Sequence, residues 1–264
     1  MKLEVLHKPA KAAASLRPPI LFVHGSYCSA QIWAPHFMPW FSEHGYGCHA
    51  LSLRGHGASD GMLSWASLAD YIEDLIQVID TLDEAPVLIG HSMGGLVVQH
   101  VLAKRKPRAA VLLATVPPSG LGSSAMHMSM LAPDVLWQLG LLQSLGPEAV
   151  SPDVMARAML SPGCAPGAGQ ALLAHLQRES PRAAAELLAP SQPTPVRGDE
   201  KPPILVLGGD ADLFLPVGAF RETATFFDAE LKILPGAPHG LMVDEAWWKP
   251  TAEEILTWLR KSSA

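Results

Sequence analysis

The sequence predicts an α/β protein with a mostly parallel central β-sheet flanked by helices and a helical insertion. Short apolar runs bounded by glycine or proline alternate with longer segments of helical periodicity, and this alternation is typical of a parallel sheet covered on both faces. The chain has 264 residues, of which 48% are hydrophobic and 17% charged. This is enough to bury one large core, so we expect a single domain.

Seven apolar runs are predicted to be strands. Five of them are nearly continuous in Val, Ile, Leu and Ala, so we expect those five to be buried on both sides. The first run would add an edge strand, and the seventh would be the last strand of the sheet. The predicted strands span residues 3–6, 19–23, 48–53, 86–89, 110–113, 203–207 and 231–234.

Three segments that follow predicted strands have the periodicity of amphipathic helices. Residues 67–82 place Leu68, Ile72 and Leu75 at four- and three-residue spacings, which makes one apolar helix face. Similar helices are predicted at 94–105 and 244–260.

The regular alternation stops after Pro118 and resumes at Pro202, which leaves about 80 residues of helical character without an obvious strand. We therefore predict a core formed by residues 1–118 and 196–264, with an insertion at 119–195. The insertion contains five of the ten methionines. Methionine adapts to irregular surroundings, so these side chains could line an apolar pocket or fill a core.

Composition argues against several partners and locations. The net charge is −6 without a long run of one sign, so we expect no binding to nucleic acid or to an anionic membrane. No secretory signal or membrane span is apparent, and Cys28, Cys48 and Cys164 lack metal-ligand or disulfide spacing. We expect a cytoplasmic protein with no stable membrane insertion and no metal, whereas the oligomeric state stays open.

The strongest functional signal is the sequence Gly90-His91-Ser92-Met93-Gly94, which lies between a predicted strand and a predicted helix. A serine on such a sharp turn has a strained backbone, and the crowded turn favours glycine two residues before and after it. The turn also exposes the serine hydroxyl at a helix N-terminus, where negative charge is stabilised. Ser92 is therefore a candidate nucleophile.

A serine nucleophile needs a base, and the base needs an orienting carboxylate. Of the 11 histidines, His239 is the best candidate because it follows the last predicted strand, at the sheet edge expected for Ser92. Asp210 and Asp212 both follow the preceding strand, and their position alone does not choose between them.

A tetrahedral intermediate also needs hydrogen-bond donors for its oxyanion. The turn itself supplies the backbone N–H of Met93. The loop after the first central strand, Val23-His24-Gly25-Ser26-Tyr27, would supply the N–H of Ser26 as the second donor.

Together these motifs resemble the α/β-hydrolase superfamily, and the resemblance covers nearly the whole chain. It rests on His24-Gly25, Arg54-Gly55-His56-Gly57, the serine turn, Gly209 to Pro216 and Pro238-His239-Gly240. In that family the acid is the fourth residue of a G-x-x-D run with proline four residues later. This pattern favours Asp212 over Asp210.

The resemblance implies a serine esterase or lipase-like enzyme whose insertion forms a helical cap over the site. It implies hydrolysis of small to medium lipophilic carboxylic esters through an acyl-enzyme, without a cofactor. Substrate contacts are expected from Tyr27, Met126 and Leu213. The alternatives are a carbon-carbon bond hydrolase, a lactonase or a perhydrolase of the same fold, or a non-catalytic small-molecule-binding protein.

Overall fold

The computed structural model describes residues 1–11, 17–198 and 201–262, and within them seven strands form one sheet. The strands are β1 (Val5–Lys8), β2 (Ile20–Val23), β3 (Cys48–Leu51), β4 (Val87–His91), β5 (Ala109–Leu113), β6 (Ile204–Gly209) and β7 (Glu230–Leu234). Their order is β1-β3-β2-β4-β5-β6-β7. Only β1 is antiparallel to its neighbour, so the predicted mostly parallel sheet is confirmed.

All of the predicted strands are present, and the edge strand is shifted toward the C-terminus. It begins at Val5, which pairs with Leu51, whereas residues 3–6 were predicted. Glu4 lies just outside the strand, where its carbonyl accepts a hydrogen bond from the backbone N–H of Ser52 at 3.0 Å. The central strands β2, β4 and β5 are buried at every position, as their continuous apolar sequences predict.

Helices flank this sheet, and the structure contains the three helices that periodicity predicts. The helices are α1 (Phe37–Glu43), α2 (Leu68–Ile79), α3 (Met93–Val101), α4 (Gly122–Leu131), α5 (Pro133–Leu145), α6 (Pro152–Met159), α7 (Ala168–Leu173), α8 (Pro181–Leu188), α9 (Val217–Phe227) and α10 (Trp248–Ser262). Helix α1 packs against α10, α2 packs against α3, and α9 packs against β6 and β7. The second predicted helix ends at Val101, four residues before the predicted end.

Five helices, α4 to α8, lie between β5 and β6, and no strand is assigned among the described residues of this stretch. Helices α4 to α7 form two apolar clusters, one around Leu142, Met155 and Met159 and the other around Met128 and Val135. Helix α8 instead contributes Ala183 and Leu187 to the core around the sheet. The inserted region therefore packs partly around its own apolar contacts and is joined to the core through α8.

The parallel register brings the C-terminal ends of β2, β4, β5, β6 and β7 to one edge of the sheet. Val23 at the end of β2 is in register with Gly90, and His91 at the end of β4 is in register with Leu113. On the other side of β5, the ends of β6 and β7 are in register at Gly209 and Leu234. The loops that follow these strands consequently meet at the same edge, which is where open α/β sheets bind ligands.

Candidate active site

The turn between β4 and α3 holds Ser92 in a strained conformation. Its φ is +52° and its ψ is −118°, a region that costs a residue other than glycine on the order of 1–3 kcal/mol. A β-carbon on Gly90 would lie 2.4 Å from the carbonyl oxygen of Gly94, so the tightness of the turn requires glycine there. Ser92 follows the last residue of the strand directly and precedes the first residue of the helix.

His239 and Asp212 form a buried hydrogen-bonded pair. The imidazole Nδ1 lies 2.7 Å from Oδ2 of Asp212, and the other carboxylate oxygen accepts backbone N–H groups from Phe214 and Leu215 at 2.8 and 2.9 Å. A carboxylate accepts and cannot donate, so Nδ1 carries a proton and Nε2 is left as the free, basic nitrogen.

The two carboxylates that the sequence leaves open have different surroundings. Asp210 is exposed, and its Oδ1 accepts a hydrogen bond from the backbone N–H of Gly236 at 2.6 Å. Asp212 is 4% exposed and contacts the histidine. Of the two carboxylates, Asp212 is the one that contacts His239, and it is also the residue that the family pattern favours.

His91 supports the backbone of His239. Its Nε2 donates to the carbonyl oxygen of His239 at 3.1 Å. Burial lowers the pKa of His91 well below its ordinary value, and the neighbouring His239 lowers it further. His91 is therefore neutral in the folded protein and acts here as a hydrogen-bond donor to the backbone.

The loop after β2 passes directly beside the serine. A β-carbon on Gly25 would lie 3.0 Å from the β-carbon of Ser92, so the loop approaches this closely because residue 25 is glycine. The hydroxyl of Ser26 donates toward the sulfur of Met93 at 3.3 Å. The two residues predicted to supply the oxyanion donors are therefore in contact.

His24 sets the direction of the peptide between Gly25 and Ser26. Its Nδ1 donates to the carbonyl oxygen of Gly25 at 2.8 Å, and its Nε2 accepts the backbone N–H of Leu53 at 3.1 Å. Burial lowers the pKa of His24 to about 3, so the ring is neutral. In a trans peptide the N–H points opposite to the carbonyl, so the N–H of Ser26 points away from His24.

A cavity of about 330 Å³ connects these groups with helices α4, α5, α6 and α8. Ser92, His239 and Ser26 lie in its wall, and most of the remaining wall is apolar. Its apolar side chains include those of Leu139, Leu142, Met155, Met159, Leu187 and Phe214. Two larger cavities, of about 550 and 540 Å³, contain none of the predicted site residues.

A family model described as "Alpha/beta hydrolase family" matches residues 20–254 of this sequence. The chain belongs to this family. This α/β-hydrolase is 27% identical over 237 residues to a monoacylglycerol lipase of Mycolicibacterium smegmatis, across 83% of this chain and 80% of the relative. It is 38% identical over 88 residues to an (E)-2-((N-methylformamido)methylene)succinate hydrolase of Acinetobacter baylyi, a match that spans only 33% of either chain.

Solved structures show the same fold. The crystal structure of a monoacylglycerol lipase from Paleococcus ferrophilus superposes with a TM-score of 0.71, covering 99% of this α/β-hydrolase and 100% of the other chain. The two sequences are 20% identical. Among the described residues, no helix is long and apolar enough to span a membrane, and no group of three or more His, Cys, Asp or Glu could hold a metal ion.

Of the three predicted substrate contacts of this α/β-hydrolase, only Tyr27 lies in the cavity wall. Met126 is not a wall residue: it is 64% exposed, because helix α4 turns Ala125 and Met128 toward the cavity and Met126 outward. Leu213 packs beside Met128 in a neighbouring apolar cluster, and the next residue, Phe214, lines the cavity instead.

Two groups of wall residues were not predicted from the sequence. Phe214 lies edge-on to the imidazole of His239, with 4.9 Å between ring centroids. Helix α5 contributes Leu136, Leu139 and Gln143, which are spaced by three and four residues on one helix face. That spacing is visible in the sequence and could have identified the face, although apolar residues are spread around the whole helix and hide the pattern.

Proposed function

We propose that the protein is a carboxylic-ester hydrolase that forms an acyl-enzyme on Ser92. The observation that carries the proposal is that Ser92, strained at the strand end, and the His239–Asp212 pair open onto one apolar cavity. A candidate nucleophile and a candidate base paired with a carboxylate, in the wall of one cavity, favour turnover over simple binding.

The reaction follows from the protonation of the triad. His239 Nε2 takes the hydroxyl proton as Ser92 Oγ bonds to the ester carbonyl carbon, and the backbone N–H groups of Ser26 and Met93 stabilise the negative oxygen. The tetrahedral intermediate then breaks the bond to the alcohol, which leaves with the proton from His239. In the second half of the reaction, water attacks the acyl carbon while His239 takes a proton from it. The bond to Ser92 Oγ then breaks, His239 returns the proton to Ser92, and the carboxylic acid is released.

The cavity supports lipophilic esters of small to medium size. Its volume of about 330 Å³ is near the lower end of the range of roughly 300–1,000 Å³ for small-molecule pockets. Helices α4, α5, α6 and α8 contribute most of its apolar wall, so we infer that residues 119–195 act as a cap that selects the substrate. The similarity to a relative named as a monoacylglycerol lipase extends over most of both chains and supports the ester class.

Hydrolysis of p-nitrophenyl esters from acetate to palmitate tests this function. We expect activity with an optimum at a short or medium acyl chain, because the cavity has room for only part of a long chain. Cleavage of no ester in this series would contradict the proposal and favour carbon-carbon bond hydrolysis or a binding role for the same fold.

Ala125→Leu is expected to shift the chain-length optimum toward shorter esters. Ala125 lines the cavity and is half-buried, so a larger side chain there fills part of the acyl site. We expect kcat/KM for the longest good substrate to fall at least about tenfold while acetate hydrolysis changes little, since a single methylene group in an apolar pocket is worth roughly 10- to 200-fold.

Ser123→Leu is the matched control, because Ser123 is exposed on the first turn of the same helix. It adds similar bulk outside the cavity and should leave the chain-length profile unchanged. An equal shift in both variants would show that α4 does not form the acyl wall.

A further inference from the structure

A buried carboxylate outside the triad contacts the oxyanion loop. Glu179 lies two residues before helix α8, next to its N-cap residue Ser180, and its side chain is 0% exposed. One oxygen, Oε1, accepts the hydroxyl of Tyr71 at 2.6 Å and the backbone N–H of Ser180 at 2.7 Å. The other, Oε2, accepts the backbone N–H of Tyr27 at 3.3 Å. The mechanism above assigns no role to this carboxylate.

Glu179 is charged in the folded protein. His56 Nε2 lies 3.3 Å from Oε2, and its Nδ1 lies 3.1 Å from the carbonyl oxygen of Arg54. Burial by itself raises the pKa of Glu179. The contact with His56 and the hydrogen bonds that the carboxylate accepts outweigh this effect and hold the pKa below its ordinary value.

A buried carboxylate is weak support for stability, because desolvation of its charge offsets the attractions that it gains. The location of Glu179 suggests another role. Tyr27 has a φ of +63°, a left-handed conformation that is uncommon for residues other than glycine. External contacts are therefore needed to hold the turn.

Three contacts hold Tyr27, and all come from the segment that carries helices α4 to α8. Its N–H donates to Glu179, its carbonyl accepts the backbone N–H of Gln177 at 2.7 Å, and its hydroxyl donates to Gln143 at 2.8 Å. Gln143 in turn donates to the backbone carbonyl of Glu179 at 3.1 Å. Glu179 is the charged member of this set.

Ser26 lies between two fixed peptide units. His24 holds the peptide before it through the carbonyl of Gly25, and Glu179 holds the peptide after it through the N–H of Tyr27. Two fixed peptides leave the backbone of Ser26 little freedom, so the direction of its N–H is determined by both contacts.

We propose that Glu179 is a positioning residue that aligns the Ser26 N–H for the oxyanion by holding Tyr27 in its turn. The inference rests on the proposed function, and it means that the geometry of the oxyanion hole depends on how the inserted helices pack against the loop after β2. The alignment of the Ser26 N–H should stabilise the transition state, in which the oxyanion forms, more than it strengthens substrate binding.

Glu179→Gln tests the proposal. The amide keeps one oxygen for Tyr71 and Ser180 and places an NH₂ group opposite the N–H of Tyr27, so the contact to the oxyanion loop is lost selectively. We expect kcat to fall about ten- to hundred-fold, less than the hundred- to thousand-fold loss on deleting an oxyanion donor, with KM nearly unchanged. Binding of a trifluoromethyl ketone, which forms an oxyanion on Ser92, should weaken by a similar factor.

Tyr71→Phe is the matched control. It removes a hydrogen bond to the same carboxylate but leaves the contact between Glu179 and Tyr27, so we expect a lower melting temperature with unchanged kcat and ketone affinity. Equal losses of kcat in the two variants, or wild-type kcat and ketone affinity in Glu179→Gln, would overturn the proposal.

Two further outcomes are distinguishable. If Glu179→Gln does not fold, Glu179→Asp is the second variant, because it keeps the negative charge but is too short to hold Tyr27 equally well. We expect Glu179→Asp to lower kcat and to leave KM unchanged. A wild-type kcat in this variant would overturn the proposal. If the wild-type protein neither hydrolyses esters nor binds the ketone, the proposed function fails, and this inference fails with it.

Discussion

Ser92→Ala is expected to lower kcat for ester hydrolysis about a million-fold, as loss of the nucleophile does in other serine hydrolases. Alanine lacks the hydroxyl that bonds to the carbonyl carbon, and no other group in the cavity wall replaces it. The backbone strain at φ +52° is the same for both residues, so stability should hardly change. Steady-state kinetics with a p-nitrophenyl ester, together with a thermal melt, measure both quantities.

A folded Ser92→Ala protein with near wild-type activity would contradict the assignment of the nucleophile. A variant that loses activity together with a large drop in melting temperature would instead indicate a structural role. The kinetic and thermal measurements therefore have to be made on the same preparation.

Asp212→Asn is expected to lower kcat about ten-thousand-fold, the loss seen when an amide replaces the triad acid. The amide can donate to Nδ1 of His239, which moves the proton to Nε2 and removes the free basic nitrogen. The buried position accepts an isosteric side chain, so the fold should persist. Steady-state kinetics on a p-nitrophenyl ester measure the loss of kcat.

Asp210→Asn is the matched control for this substitution. Asp210 is two residues away, is exposed and contacts the backbone of Gly236 rather than the histidine. Its loss should change kcat only a few-fold, on the order of a single surface hydrogen bond. The opposite ranking of the two variants would make Asp210 the orienting acid.

The sheet and the chemical groups were predictable because their signals are local. Continuous apolar runs such as residues 19–23 and 86–89 indicate buried strands, and the glycines around Ser92 follow from the tightness of one turn. His239 was predicted from its place after the last strand. The choice of Asp212 needed the family pattern, because both carboxylates follow the same strand.

The arrangement of the inserted helices was not predictable in the same way. Helices α4 and α5 have apolar and polar residues mixed around their circumference, so periodicity did not show that Met126 faces outward while Met128 lines the cavity. The contact between Glu179 and Tyr27 joins residues 152 positions apart. No local pattern encodes a pairing that depends on how the insertion docks on the sheet.

The most direct test of the central claim is covalent trapping of the nucleophile. Diethyl p-nitrophenyl phosphate transfers its phosphoryl group to an activated serine and releases p-nitrophenolate, and peptide mass spectrometry then locates the adduct. We predict one diethylphosphoryl group per chain, on Ser92, with loss of ester hydrolysis in proportion to labelling and no labelling of Ser92→Ala. Loss of activity with the adduct on another residue, or full activity after Ser92 is labelled, would contradict the account.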